Sequence, residues 1–199
     1  MLYLVLQYLN LYIAQFLPSG VTVELAPVPS REQMAGGNGT RKLLYISLLN
    51  VEEDKVLKPP YRYQRNTTTD PATNYLLNPE MRFYLYIMFT GFSDDYTTSL
   101  KSVSAVINAF ANKNFFEGAD LTAAWATGSS DDFSDAFSQL ALDLYTQSLD
   151  QSNSMWQAIS SNILPNVIYK VRLMSIVPTL NIGQVGEVRD VNINTVTSN

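Results

Sequence analysis

The chain contains neither cysteine nor histidine. Without a thiol or an imidazole there is no Cys nucleophile, no Ser-His-Asp triad, no disulfide framework and no Zn site of the usual Cys/His kind. Catalysis would have to rest on carboxylates, lysine, tyrosine or hydroxyls. Charge is scarce as well: Asp, Glu, Lys and Arg make up 16% of the 199 residues, 18 acidic against 13 basic, for a net charge of −5. Soluble domains average roughly 25%. A folded protein this poor in charge presents wide neutral surface, and neutral surface is what subunit interfaces are made of. The pI of about 4.6 and the lack of a basic stripe argue against a nucleic-acid partner.

What is present is apolar. Hydrophobic residues make up 46% and aromatics 12%, ample for one domain that buries on the order of 70% of its unfolded surface. The first charged side chain is Glu24, and no Lys or Arg precedes the Leu- and Tyr-rich stretch Leu2 to Leu17, so a signal peptide is not indicated. On a helical wheel Leu2, Val5, Leu6, Leu9, Ile13 and Phe16 share one side, and Tyr3, Gln7, Asn10 and Gln15 the other. The stretch is too short to span a bilayer comfortably and its polar stripe lacks the cations of a membrane-surface helix, which predicts a buried amphipathic helix without membrane insertion.

Pro18-Ser19-Gly20 stops that helix. Alternation over Val21 to Leu25 and the β-prone run Leu43 to Val51 predict two strands, with a polar loop from Ser30 to Thr40 between them. Glu52 to Glu80, with Pro59-Pro60, Asp70-Pro71 and Asn78-Pro79, reads as a long extended connection of a kind that is often functional. Met81 to Phe89 has two coverable faces and predicts a central strand. Ser93, Asp94 and Asp95 supply an N-cap and first-turn acids for a helix with Tyr96, Leu100, Val103, Val106, Ile107 and Phe110 inward.

Asp131 to Gln147 fits helix and strand periodicities equally. Ser148-Leu149-Asp150-Gln151 matches a capping box that opens a helix with Leu149, Trp156 and Ile159 inward, closed by Pro165. Val167 to Ser175 alternates as a strand, and after Pro178 the tail is polar, either disordered or an arm that needs a partner. The order predicts an α+β (α/β) domain over residues 1–177, with a single mixed sheet of about four to five strands flanked by helices, and an extended tail over 178–199. There is no internal repeat.

Few motifs carry chemistry. Gly36-Gly37-Asn38-Gly39 lacks the Gly-Lys-Ser/Thr ending of a phosphate loop. Asp131, Asp132 and Asp135 would offer Mg²⁺ or Ca²⁺ only part of a ligand set, and solvated acids are the plainer reading. Glu52-Glu53-Asp54 reads as surface charge rather than an acid/base pair. Asn38-Gly39-Thr40 and Asn66-Thr67-Thr68 match the glycosylation sequon by pattern alone. Tyr84, Tyr86, Tyr96 and Trp156 could stack a ligand, but periodicity assigns most of them to the core. No catalytic, cofactor-binding or metal-ligating residue is assigned. Charge is lopsided, however: seven basic residues stand against four acids between Arg31 and Arg65, and nine acids against two lysines between Asp94 and Asp150. If the two regions lie on opposite flanks, such asymmetry favours head-to-tail packing of identical subunits; the alternative is a coincidence of loop composition.

The ordered set of blocks resembles a known family. Leu43 to Glu53 followed by Leu57-Lys58, Asn78-Pro79-Glu80 leading into Tyr84-Leu85-Tyr86, Tyr96 with the Leu100 to Phe110 helix and Phe115-Phe116, then Leu142 to Leu149, Met155-Trp156, Leu164-Pro165-Asn166 and Tyr169-Lys170-Val171-Arg172 are similar to the cap, or tail-terminator, proteins of phage-tail-like contractile injection systems of the antifeeding-prophage type. The chain departs from the pattern at Asn166, where a serine is usual, and the resemblance ends near Val177. It implies a tail-terminator-like subunit in which Leu140 to Gln147 is a strand. It also implies a homo-oligomer, a hexameric ring on the distal end of the inner tube and sheath that ends their polymerisation, with no catalysis and no cofactor. Assembly would take place in the bacterial cytoplasm, within a particle that is then released or membrane-anchored. The alternatives are a secreted or surface-displayed recognition domain and, less favoured, a carboxylate-dependent metal hydrolase built on Asp131, Asp132 and Asp135.

Overall fold

The computed structural model describes residues 2–29, 42–54, 62–65, 73–77, 82–122, 133, 137–159, 162–174 and 184–186. The chain divides into two compact units, Met1–Lys55 with Met81–Ile176, and Val56–Glu80 with Val177–Asn199.

The larger unit is built on one mixed sheet of six strands: β1 (Thr22–Leu25), β2 (Lys42–Glu53), β5 (Arg82–Ser93), β6 (Phe115–Glu117), β7 (Gln139–Leu144) and β8 (Asn166–Met174). Their spatial order is β1-β2-β5-β8-β7-β6, and all neighbours are antiparallel except β1 and β2. Six strands replace the expected four to five. Three-residue β6 is too short for alternation to reveal, and it exists because Phe115–Glu117 pairs with Gln139–Ala141 of β7. Within the ambiguous segment Gln139–Leu144 is a strand, with Leu140 and Leu142 buried, while Phe133 is helical.

Strand β5 is central, as its two apolar faces require. Leu85, Ile87 and Phe89 enter the main core, whereas Met88 faces the other way. Helix α1 (Leu2–Ala14) and helix α2 (Tyr96–Asn112) cover the main-core face. Helix α1 buries Val5, Leu9 and Ile13 as the wheel predicts, together with Tyr8 and Tyr12, but it ends at Ala14, so Phe16, expected on the same side, lies beyond it and is exposed. The tyrosine rings fill the core while their hydroxyls donate to the carbonyls of Asp120 (3.2 Å) and Ala109 (3.3 Å), the usual arrangement for a buried phenol. Tyr8 meets Phe116, Phe133 and Phe137 edge to face. Burial, reinforced by the charge of Asp120, pushes its phenol well above the ordinary tyrosine value.

Helix α2 starts at Asp95, whose carboxylate accepts from the backbone N–H groups of Thr97 and Thr98. Its buried face is Ser99, Ser102, Val103, Val106, Ala109 and Phe110. The expected inward positions Tyr96, Leu100 and Ile107 instead face outward, 66%, 43% and 40% exposed. The reason is close approach: the helix lies so near β5 at Gly91 that a Cβ there would stand 2.5 Å from the Ser99 carbonyl oxygen. At that end of the helix the buried positions are the small Ser99 and Ser102, so Tyr96 and Leu100 turn away.

Helix α3 (Leu149–Ile159) lies on the opposite face and buries Trp156 against Met88 and Ile168. The capping box is real: Ser148 N–H donates to Gln151 Oε1 (3.1 Å) and Gln151 N–H to Ser148 Oγ (3.3 Å). Leu149, expected inward, is 85% exposed because it precedes the first turn's contact with the sheet.

The smaller unit contains a three-stranded antiparallel sheet, β3 (Arg62–Arg65), β4 (Thr73–Leu77) and β9 (Gln184–Gly186), ordered β3-β4-β9. The expected structureless connection therefore carries two strands, and the tail supplies the third. Tyr75 pairs with Gln184 across a long stretch of sequence, a contact that local periodicity cannot reveal.

Candidate functional site

Among the described residues, α3 is the only helix on the outer face of the larger sheet. Two cross-strand ladders run over it, Glu52–Tyr84–Arg172 and Asn50–Tyr86–Lys170. Tyr84 and Tyr86, expected in the core, are half-buried here, with their hydroxyls donating to Asp54 Oδ2 (3.0 Å) and Glu52 Oε2 (3.1 Å). Lys170 Nζ stands 4.0 Å above the centroid of the Tyr84 ring, and the Arg172 guanidinium lies 5.8 Å from it. These cation–π contacts tie β8 to β5.

A β-bulge shapes the neighbouring surface. Leu48 pairs with Ile87 and Asn50 with Tyr86, so Leu49 is the extra residue. A bulge turns consecutive side chains to one face, and Leu49 and Asn50 both line an open groove of about 380 Å³ between α3 and the sheet. Met155, Ile159 and Ile168 complete its apolar lining, Asn50, Glu52 and Ala158 form its exposed rim, and Tyr86 meets Tyr145 edge to face at 5.1 Å.

This arrangement is suited to recognition. Among the described residues the Glu52 carboxylate accepts only from neutral donors, Asn50 Nδ2 at 3.3 Å and the Tyr86 hydroxyl. Asp54, read from sequence as surface charge, is only 7% exposed and receives the Tyr84 hydroxyl. Among the described residues no group of three or more His, Cys, Asp or Glu could hold a metal, and no helix is long and apolar enough to cross a membrane.

The aromatic set read from sequence does not assemble. Tyr84 and Tyr86 share the outer sheet face, Trp156 is buried beneath α3, and Tyr96 projects from the other side of the molecule at the start of α2. Gly36 to Gly39, both sequons, and Asp131, Asp132 and Asp135 lie outside the described residues, as does most of the basic region between Arg31 and Arg65. Sequence reasoning missed Tyr145 and the Leu49 bulge. Tyr145 follows a segment of undecided periodicity, and a bulge interrupts the alternation by which strands are recognised.

Comparison with known proteins adds the following. Residues 4–187 match the Pvc16 N-terminal domain family. Among solved structures, the sheath/tube terminator of an extracellular contractile injection system, PVC, in the extended state superposes with a TM-score of 0.63 at 13% identity, covering 100% of this chain and 64% of that one. The tube-terminating cap of the anti-feeding prophage superposes with a TM-score of 0.63 at 12% identity, covering 96% of this chain and 60% of that one. The chain thus spans somewhat under two thirds of the length of either. No curated protein matches it. The tail-terminator resemblance read from the sequence blocks is supported by both findings, and the chain belongs to the Pvc16 N-terminal domain family.

Proposed function

We propose that the protein is a structural cap of a contractile injection particle, a tail terminator that sits as a ring on the distal end of the inner tube and sheath and stops their polymerisation. The observation that carries this reading is the superposition of the entire chain on a sheath/tube terminator and nearly all of it on a tube-terminating cap. The surface supports it: the outer ridge of α2 presents Tyr96, Leu100 and Ile107 with a single lysine in the helix, as subunit interfaces do. Capping is then geometric. One face matches the growing polymer, and the other offers no copy of that surface to a further layer.

In this reading the subunits form a homo-oligomer, a hexameric ring, whose partners are the sheath and inner-tube proteins of the same particle. Assembly occurs in the bacterial cytoplasm before the particle is released or anchored. Residues 1–177 act as the capping body, with 178–199 as a gripping arm, and the protein performs no catalysis and needs no cofactor. The test is growth of tubes from the particle's own tube protein with and without this chain. Substoichiometric chain should arrest elongation and leave added density at one end in negative-stain images. Tubes that lengthen equally in its presence overturn the proposal.

A further inference from the structure

The larger unit carries two unmatched surfaces on opposite sides of its sheet. One is the groove beside α3, with an apolar lining and the Glu52 carboxylate on its rim. The other is the outer ridge of α2, where Tyr96 and Leu100 stand one turn apart and Ile107 follows two turns on. Lys101 is the only charged residue among the 17 of that helix. Among the described residues, neither Glu52 nor Lys101 takes part in an ion pair. The ridge and the groove fit one another in kind: apolar residues at i and i+4 spacing are what a helix offers to a groove, and the Lys101 cation beside Leu100 answers the Glu52 carboxylate on the groove's rim.

Because α2 packs on the Leu85, Ile87 and Phe89 face while the groove opens on the Tyr86 and Met88 face, one molecule cannot join its own two surfaces. We infer that the groove receives the α2 ridge of a second copy of this chain, with Leu100 against Leu49 and Met155, and Lys101 against Glu52. The contact is heterologous: each subunit offers a ridge to one neighbour and a groove to the other, so the chain continues until a ring closes. The inference deepens the cap reading by naming the surfaces that join its subunits, and it rests on that reading for the ring.

Sedimentation velocity on the full chain tests it with three samples, Glu52→Lys, Lys101→Glu and their equimolar mixture. Each variant alone sets like charges against each other at every junction, which should raise the concentration at half-assembly by at least about tenfold relative to the parent. In the mixture every alternating junction is oppositely charged again, so the parental size returns, and this rescue also shows that both variants are folded. Leu100→Gln, at an exposed position, should likewise lose assembly. Single variants that assemble like the parent, a mixture that stays dissociated, or a parent that is monomeric or stops at a dimer each overturn the inference. The cap reading is scored separately by tube length, so a chain that arrests tubes yet ignores these substitutions refutes only the interface.

Discussion

Replacing Gly91 by alanine tests the close packing of α2 on β5. Gly91 pairs with Leu44 of β2 and donates its N–H to the Pro165 carbonyl at 2.9 Å, so the strand is held from two sides and cannot recede. An added Cβ would lie 2.5 Å from the Ser99 carbonyl oxygen and 3.1 Å from its carbonyl carbon and Cα. These are backbone atoms in the first turns of α2, so no rotamer change relieves the clash. The helix itself must retreat until 2.5 Å opens to the 3.4 Å of ordinary contact, loosening Val103, Val106, Ala109 and Phe110 together. Overpacking of this kind costs about 1–3 kcal/mol, and a rigid obstacle places Gly91→Ala in the upper half, about 2–3 kcal/mol. For a chain of this size that corresponds to a fall in Tm of roughly 4–12 °C. Differential scanning calorimetry measures the fall, and hydrogen exchange locates the loosening in α2. A Tm within about 2 °C of the parent, well inside the loss worked out here, or rescue by Ser99→Gly, would refute the reasoning, since the obstacle is backbone rather than side chain.

Three further outcomes follow from the structure. Thr90 is fully buried in β5 and its hydroxyl has no hydrogen-bond partner among the described residues, so the near-isosteric Thr90→Val should raise stability by about 1 kcal/mol, read as a higher urea midpoint with unchanged slope. Tyr8→Phe removes one hydrogen bond to the Asp120 carbonyl and should cost about 1 kcal/mol. Tyr8→Ala, which empties the site between Phe116, Phe133 and Phe137, should cost about 3–5 kcal/mol; similar losses for the two would show that the ring contributes little. The Asp95 carboxyl is held below its ordinary value, first by the Thr98 hydroxyl and then by the Thr97 N–H. Its folded-state pKa being depressed, its contribution is complete above the ordinary carboxylate value of about 4 and is lost as the pH falls through the lowered one. Asp95→Ala should therefore melt below the parent at neutral pH and converge on it in strong acid; parallel melting curves at every pH would contradict the cap.

The order of elements was legible in the amino-acid sequence because each signal is local. The alternation of Val167 to Leu173 makes β8, Asp95 caps α2, and Ser148 with Gln151 caps α3, whereas α1 ends at Ala14, short of the Pro18-Ser19-Gly20 stop. The same local reasoning, joined to the resemblance, reached a mixed sheet flanked by helices, and the absence of cysteine and histidine removed most catalytic chemistry before any fold was known. Tertiary structure alone decided which way the start of α2 is turned, because the contact of Gly91 with the Ser99 backbone places small Ser99 and Ser102 against the sheet there, and hydrophobic periodicity counts the large residues. It alone set the Leu49 bulge, the edge strand β6 and the pairing of β4 with β9, each of which depends on a partner distant in sequence. The groove beside α3 belongs to the same class: its lining comes from β2, β5, β8, α3 and Tyr145, and residues that far apart along the chain become one surface only when the sheet brings them together.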